Sequence, residues 1–249
     1  NPNRYYDDYG NKDDVNFYTK ASYNVTSKLN LFTDLQYRMV FYDATSVKFD
    51  DVNDTFRFFN PKVGLNYQLN TKNSFYGYFG IANKEPRRDD YESGAIKPER
   101  LFDYELGWKY NTQKVRLSAN AFYMRYNDQL VLTGDLNDVG APIFTNSGKS
   151  YRLGLEVEST IALTDKLILN PNFTLSQNKN EDFYYEINGV VQNLGKTNIA
   201  YSPNFIFGNL FFLDIWPLAY GVDFTNQKRF YYRKEINLNS NSQDSIIKT

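Results

Sequence analysis

The 249 residues contain no cysteine and no histidine. That excludes disulfides, thiolate chemistry, the ordinary zinc sites and the commonest general base. The net charge is −1, so no long-range field draws the chain to nucleic acid or to an anionic membrane surface. Long apolar runs are missing as well. The run Leu210–Leu213 is ended by Asp214, and mean hydropathy is −0.61. A membrane-crossing helix needs about 20 mostly apolar residues, so none is encoded. The opening NPNRYYDDYGNKDD has no apolar signal core, so the chain is read as processed or as a piece of something longer.

What the chain has in quantity is aromatic: 22 tyrosines and 20 phenylalanines. Such residues suit half-buried pleated surfaces. Their spacing has period two. Phe17, Thr19, Ala21, Tyr23 and Val25, then Leu29, Leu31, Leu35, Tyr37, Met39 and Phe41, take odd positions. Lys20, Asn24, Asp34, Gln36 and Arg38 fall between them. Successive strand side chains point to opposite faces, so this is a hairpin with one apolar and one polar face. The pattern recurs at Val63–Leu69, Phe75–Ile81, Tyr104–Tyr110, Val115–Tyr123, Tyr151–Ile161, Leu167–Leu175 and Leu218–Phe224, while around Tyr201–Leu213 both faces carry apolar residues. It predicts about ten strands and no amphipathic helix.

The connections alternate in length. Short ones are Thr26–Lys28, Asn70–Asn73, Asn111–Lys114, Thr164–Lys166 and Asp214–Pro217. Long polar ones run through Asp43–Thr55, Asn83–Arg100, Asn127–Gly148 and Asn178–Lys196. Tight turns at one end and long loops at the other are the plan of an outer-membrane barrel. Face parity sets the register: Val25 should oppose Leu29, Leu163 should oppose Leu167, and Tyr110 and Val115 need an even loop between them.

A soluble β-sandwich also alternates, but its strands usually have about five or six residues. Here alternation persists for roughly twice that, the length a tilted strand needs to cross hydrocarbon. The polar face is heavily charged, as a wide lumen would require. Tyr23, Tyr67, Tyr110 and Trp216 lie near the short turns, and Tyr37, Phe41, Tyr104, Tyr123 and Tyr151 near the long loops, as interfacial belts would.

Between Asn60 and Ser159 the order of fragments becomes specific. NPKVGLNYQLN leads through SFYGYFGIANKEPRRDDY into IKPERLFDYELGWKY, followed by VRLSANAFYMRYNDQLV and SGKSYRLGLEVES, with YSPNF at Tyr201–Phe205. This series resembles the barrel of TonB-dependent outer-membrane receptors, most sharply over Lys97–Tyr110. The resemblance implies an all-β, antiparallel up-and-down transmembrane β-barrel. This chain would supply about ten strands of a larger barrel of the 22-strand type. No plug segment and no TonB box are read in the sequence, and NSQDSIIKT lacks a closing aromatic. Residues 1–249 are therefore expected to be an interior part of the barrel domain.

The same resemblance implies a receptor in the bacterial cell outer membrane that imports a scarce nutrient, a ferric siderophore first. Its partners would be outer-membrane lipid, a small-molecule iron chelate and, through segments not read here, the TonB complex. Runner-up readings are a surface or soluble β-sandwich binding glycans or adhering, and a passive porin. Cobalamin and sugar stay open as cargo, and the lack of histidine argues mildly against haem.

No catalytic constellation stands out, and no enzyme activity, cofactor or metal site is expected. Asp50, Asp51, Asp54, Asp89 and Asp90 lack the spacing of a calcium loop. The triplets NVT, NDT and NFT are read as chance. The loop NKEPRRDDY offers the candidate ligand site: Arg87, Arg88, Asp89, Asp90 and Tyr91. The arginines could grip an anion bidentately, or pair with their aspartate neighbours and hold the loop. Glu105, Lys109, Arg116, Arg152, Glu156 and Glu158 are read as lumen- or plug-facing wall. Gly107 and Gly154 on that face leave room for a backbone or a bulky ring.

Overall fold

The structure is a computed structural model and describes residues 7–136, 140, 142–187, 190–215 and 218–226. Thirteen strands and one short helix follow in order: β1 (Tyr9–Asn24), β2 (Leu29–Thr45), β3 (Val52–Gln68), β4 (Asn73–Lys84), α1 (Arg88–Glu92), β5 (Glu99–Asn111), β6 (Val115–Asn127), β7 (Leu130–Leu136), β8 (Pro142–Asn146), β9 (Lys149–Ala162), β10 (Leu167–Ile187), β11 (Val190–Asn198), β12 (Phe205–Ile215) and β13 (Leu218–Asn226). Ten of the strands form one antiparallel path, β1-β2-β3-β4-β5-β6-β9-β10-β12-β13, with β11 added to β10; β7 and β8 make a separate hairpin. Each strand on the path pairs with the next one along it, and among the described residues the sheet is open, with β1 and β13 as its edges.

The expected registers hold. Val25 N–H donates to Leu29 O at 2.9 Å, and Leu163 N–H donates to Leu167 O at 2.9 Å. Tyr110 shares the face of Val115 but lies opposite Leu117, because the turn tightens to Thr112–Val115.

These registers line up the apolar face into rows. One row runs Tyr23, Leu31, Leu65, Gly77, Leu106, Ala121, Leu155, Leu175, Phe205 across nine strands. A neighbouring row carries an aromatic ladder, with ring centroids 4.9 Å apart for Phe79–Tyr104 and 6.1 Å for Tyr104–Tyr123. Among the described residues nothing packs on this face. Leu106 is 70% exposed and Phe17 is 63% exposed. A sandwich would have sealed these side chains between two sheets.

The polar face carries the charges and an unexpected device. Phe32 lies directly opposite Gly64, Tyr76 opposite Gly107, and Phe122 opposite Gly154. Each ring occupies the space a Cβ on its partner glycine would need. The room expected at Gly107 and Gly154 is thus filled by a ring from the neighbouring strand.

Three of the long connections are shorter than their polarity suggested. β2 runs to Thr45 and β3 begins at Val52; Asn127–Gly148 contains the hairpin β7–β8; and Asn178–Lys196 continues β10 and returns as β11. Where both faces of a hairpin are polar, the alternation disappears while the backbone ladder persists. Helix α1 spans five residues, too short to display a helical period. The belt position expected of Trp216 and the tail NSQDSIIKT lie outside the described residues.

Candidate functional site

The loop between β4 and β5 begins at Glu85, which is buried. Arg38 and Lys12, from β2 and β1, reach it with nitrogen–oxygen distances of 2.7 and 2.6 Å. Arg38 also grips Asp14 at 2.5 Å. Burial opposes ionisation of Glu85, but hydrogen bonds from Arg38 and Lys12 outweigh it and hold the carboxyl down at about 2. A depressed carboxylate stabilises the fold above its ordinary value and loses that contribution as pH falls through the depressed one. The protection of α1 amides against hydrogen exchange is therefore expected to be constant above pH 4.5 and to fall as pH approaches 2. Glu85→Gln should flatten that dependence.

Beyond Pro86 the chain turns into α1. The buried Asp90 carboxylate accepts the Arg87 N–H at 2.7 Å, and the Asp90 N–H donates to Arg87 O at 3.0 Å. These bonds satisfy donors at the start of the helix that would otherwise be orphaned. Tyr91 is buried against Tyr42, with ring centroids 5.6 Å apart, and its hydroxyl donates to Asp54 at 2.5 Å. Burial first, then that hydrogen bond, pushes the Tyr91 phenol far above its ordinary range. Arg88 pairs with Asp8 and, at 3.6 Å, with Glu92. Arg87 lies 5.1 Å from the ring of Phe144 on β8 and reaches Asp90 at 3.4 Å.

The five candidate residues therefore divide. Arg87, Arg88 and Asp89 are exposed on the outer side of the loop, while Asp90 and Tyr91 are buried; Asp90 closes the loop on Arg87, and Tyr91 holds it to β2, β3 and the β2–β3 connection. Both arginines keep part of their donor capacity for another partner.

The six wall residues share the polar face. Glu105, Arg152 and Glu156 line one depression of about 330 Å³. There Asn120 donates to Glu105 at 3.2 Å and Arg152 donates to Ser202 at 2.8 Å. Lys109, Arg116 and Glu158 line a second, of about 440 Å³, nearer the short turns. Lys109 also lies 5.5 Å from the ring of Tyr76. Asp34 bridges Lys20 and Lys62 at 3.5 and 4.0 Å.

Sequence reasoning missed the Lys12–Asp14–Arg38–Glu85 cluster. Its members lie on three separate segments, and only the β1–β2 register places Asp14 near Arg38. One signal was available: Arg38 and Asp14 both have the parity of the polar face.

The arrangement is an antiparallel wall with one apolar face, one charged face and an ordered, arginine-bearing loop at one end. Residues 1–246 match the family described as TonB dependent receptor-like, beta-barrel. No curated protein sequence matches the chain. Several solved structures share its fold. The siderophore receptor PiuA from Acinetobacter baumannii superposes with a TM-score of 0.69 at 13% identity, over 87% of this chain and 34% of PiuA. The unliganded ferric citrate transporter FecA gives 0.67 at 14% identity, over 88% of this chain and 33% of FecA. The copper transporter OprC gives 0.62 at 12% identity, over 86% of this chain and 42% of OprC. The chain thus spans 33% to 42% of the length of these proteins. With a family match over almost its whole length, this chain belongs to the β-barrels of TonB-dependent receptors.

Proposed function

We propose that the chain forms wall and outer-loop surface of a receptor in the bacterial outer membrane that imports an iron chelate of the siderophore class, energised through TonB. It acts in transport rather than catalysis. The observation that carries this reading is the family match together with the uncovered apolar face. The names of two neighbours, a siderophore receptor and a ferric citrate transporter, support iron chelates as cargo. The copper transporter among them supports a metal ion as the second reading.

In this proposal Arg87 and Arg88 donate to an anionic chelate and Asp89 tunes their reach. Asp90 and Tyr91 keep the loop in place from behind. Glu105, Lys109, Arg116, Arg152, Glu156 and Glu158 face a plug held within the lumen.

Deletion of the gene is expected to abolish growth on at least one defined ferric siderophore as sole iron source. Dissipating the proton-motive force should stop uptake of that chelate, which a passive pore would not require. Unchanged growth on every iron source contradicts the cargo. Arg87→Ala with Arg88→Ala is expected to weaken chelate binding at least about tenfold, since hydrogen bonds to charged groups contribute roughly 1.5–3 kcal/mol. Surface expression should be unchanged, and equal affinity would remove the arginines from the site.

A further inference from the structure

The four described tight turns are copies of one unit. In Thr26–Leu29, Asn70–Asn73, Thr112–Val115 and Thr164–Leu167, the first residue's N–H donates to the fourth residue's carbonyl, at 3.2, 3.3, 2.8 and 3.3 Å. In return the first residue's side-chain oxygen accepts the fourth residue's N–H, at 3.0, 2.9, 3.0 and 3.0 Å. These are side-chain-closed turns of the Ser/Thr and Asx type.

The third position of every copy is lysine: Lys28, Lys72, Lys114 and Lys166. All four are exposed, and none forms a salt bridge among the described residues. Their main chains are fixed as well. Lys28 O accepts from Gln68 N at 2.7 Å, Lys72 O from Asn111 N at 2.8 Å, and Lys114 O from Ala162 N at 2.8 Å. The strand order puts consecutive turns two strands apart, roughly 10 Å along the rim. Against the four ammonium groups these turns hold one carboxylate, Asp165.

A second observation sets the depth of this row. Trp108 sits on the apolar face, and its indole Nε1 donates to Asn73 Oδ1 of the second turn at 3.0 Å. Tryptophan with its ring in the apolar zone and its N–H at the wet edge marks the membrane–water interface. Tyr67 on the apolar face adds a second ring near the same end. The ammonium groups therefore fall at headgroup level. Short turns face the periplasm, so the leaflet is the inner one.

We propose that this lysine row is a docking rim for anionic phospholipid headgroups, each ammonium meeting a phosphodiester, so that the turn end selects phosphatidylglycerol from its leaflet. The overall charge of −1 gives no long-range attraction; the selection acts at contact. It rests on the membrane reading above. A lysine near an anionic bilayer surface changes lipid affinity roughly fivefold.

The test uses the native protein purified from its membrane and reconstituted in phosphatidylethanolamine vesicles. Spin-labelled phosphatidylglycerol and spin-labelled phosphatidylethanolamine report which lipid occupies the protein boundary. At low salt the wild type is expected to favour phosphatidylglycerol about fivefold or more, and high salt should erase the preference. Lys28→Gln, Lys72→Gln, Lys114→Gln and Lys166→Gln combined should bring it to unity, while the four arginine replacements should keep it. The Thr and Asn acceptors stay in place, so all variants should insert with heat-modifiable migration. Failure of the wild type to insert at all would overturn the membrane reading itself. Insertion without lipid preference, or a preference that survives the four glutamines, would overturn the rim alone. Loss of binding to acidic peptidoglycan fragments with unchanged lipid preference would also overturn it, assigning the row to a periplasmic polymer.

Discussion

Replacing Leu106 by arginine is expected to cost about 1–3 kcal/mol of stability in lipid, between the ~0–1 kcal/mol of a guanidinium at the interface and the ~2–4 kcal/mol at the bilayer midplane. Leu106 is 70% exposed and lies in the row from Tyr23 to Phe205. On its strand it falls between Tyr104, which belongs to the aromatic ladder, and Trp108, whose indole marks the turn-side interface. In water that exposure would make the substitution nearly silent, since surface changes usually stay within about 0.5 kcal/mol. The medium decides the sign. Urea titration of the protein in lipid vesicles measures it, with Ser118→Arg on the polar face as the control. Equal midpoints for the two variants would mean that water, not hydrocarbon, touches Leu106.

The second large effect belongs to the glycines of the inner face. A Cβ at Gly154 would lie 2.5 Å from Phe122 Cζ and 2.6 Å from the carbonyl oxygen of Leu175. The three atoms nearest to a Cβ at Gly107 all belong to the ring of Tyr76. Overpacking typically costs about 1–3 kcal/mol, and a backbone obstacle sets the upper end because it cannot rotate away. Gly154→Ala should therefore be the more damaging, and Phe122→Ala should leave most of that loss in place. Tyr76→Ala should instead absorb most of the loss from Gly107→Ala. A double-mutant cycle for each pair, read from unfolding midpoints, separates the two cases. Full rescue of Gly154→Ala by Phe122→Ala would show that the Leu175 carbonyl is no barrier.

These two predictions mark what was legible in the sequence. The alternation in Val15–Phe41 carried the apolar face, the turn positions and the register, since a one-residue slip would turn lysine and aspartate into the apolar layer. It ended where both faces became polar, so the upper parts of β2, β3 and β10 and all of β11 read as loops. Gly107 and Gly154 were visible as gaps, but the rings that fill them belong to other strands. Pairing across strands is a three-dimensional fact. The loop NKEPRRDDY showed its arginines plainly. That Tyr91 points inward depended on Asp54 and Tyr42, which lie far from it in sequence. A lysine stood in four of the five quoted turns, Asp214–Pro217 having none, but its fixed third position emerged only with the hydrogen bonds that define the unit.

The central claim is that hydrocarbon lies against the outer face of this sheet. With no native cysteine, single-cysteine spin labelling along β5 tests it directly. Labels at residues 102, 104, 106 and 108 are expected to collide with membrane-dissolved oxygen, and labels at 103, 105 and 109 with a water-soluble nickel reagent, in strict alternation. Labels at 104, 106 and 108 shielded from both, as in the sealed centre of two stacked sheets, would contradict it.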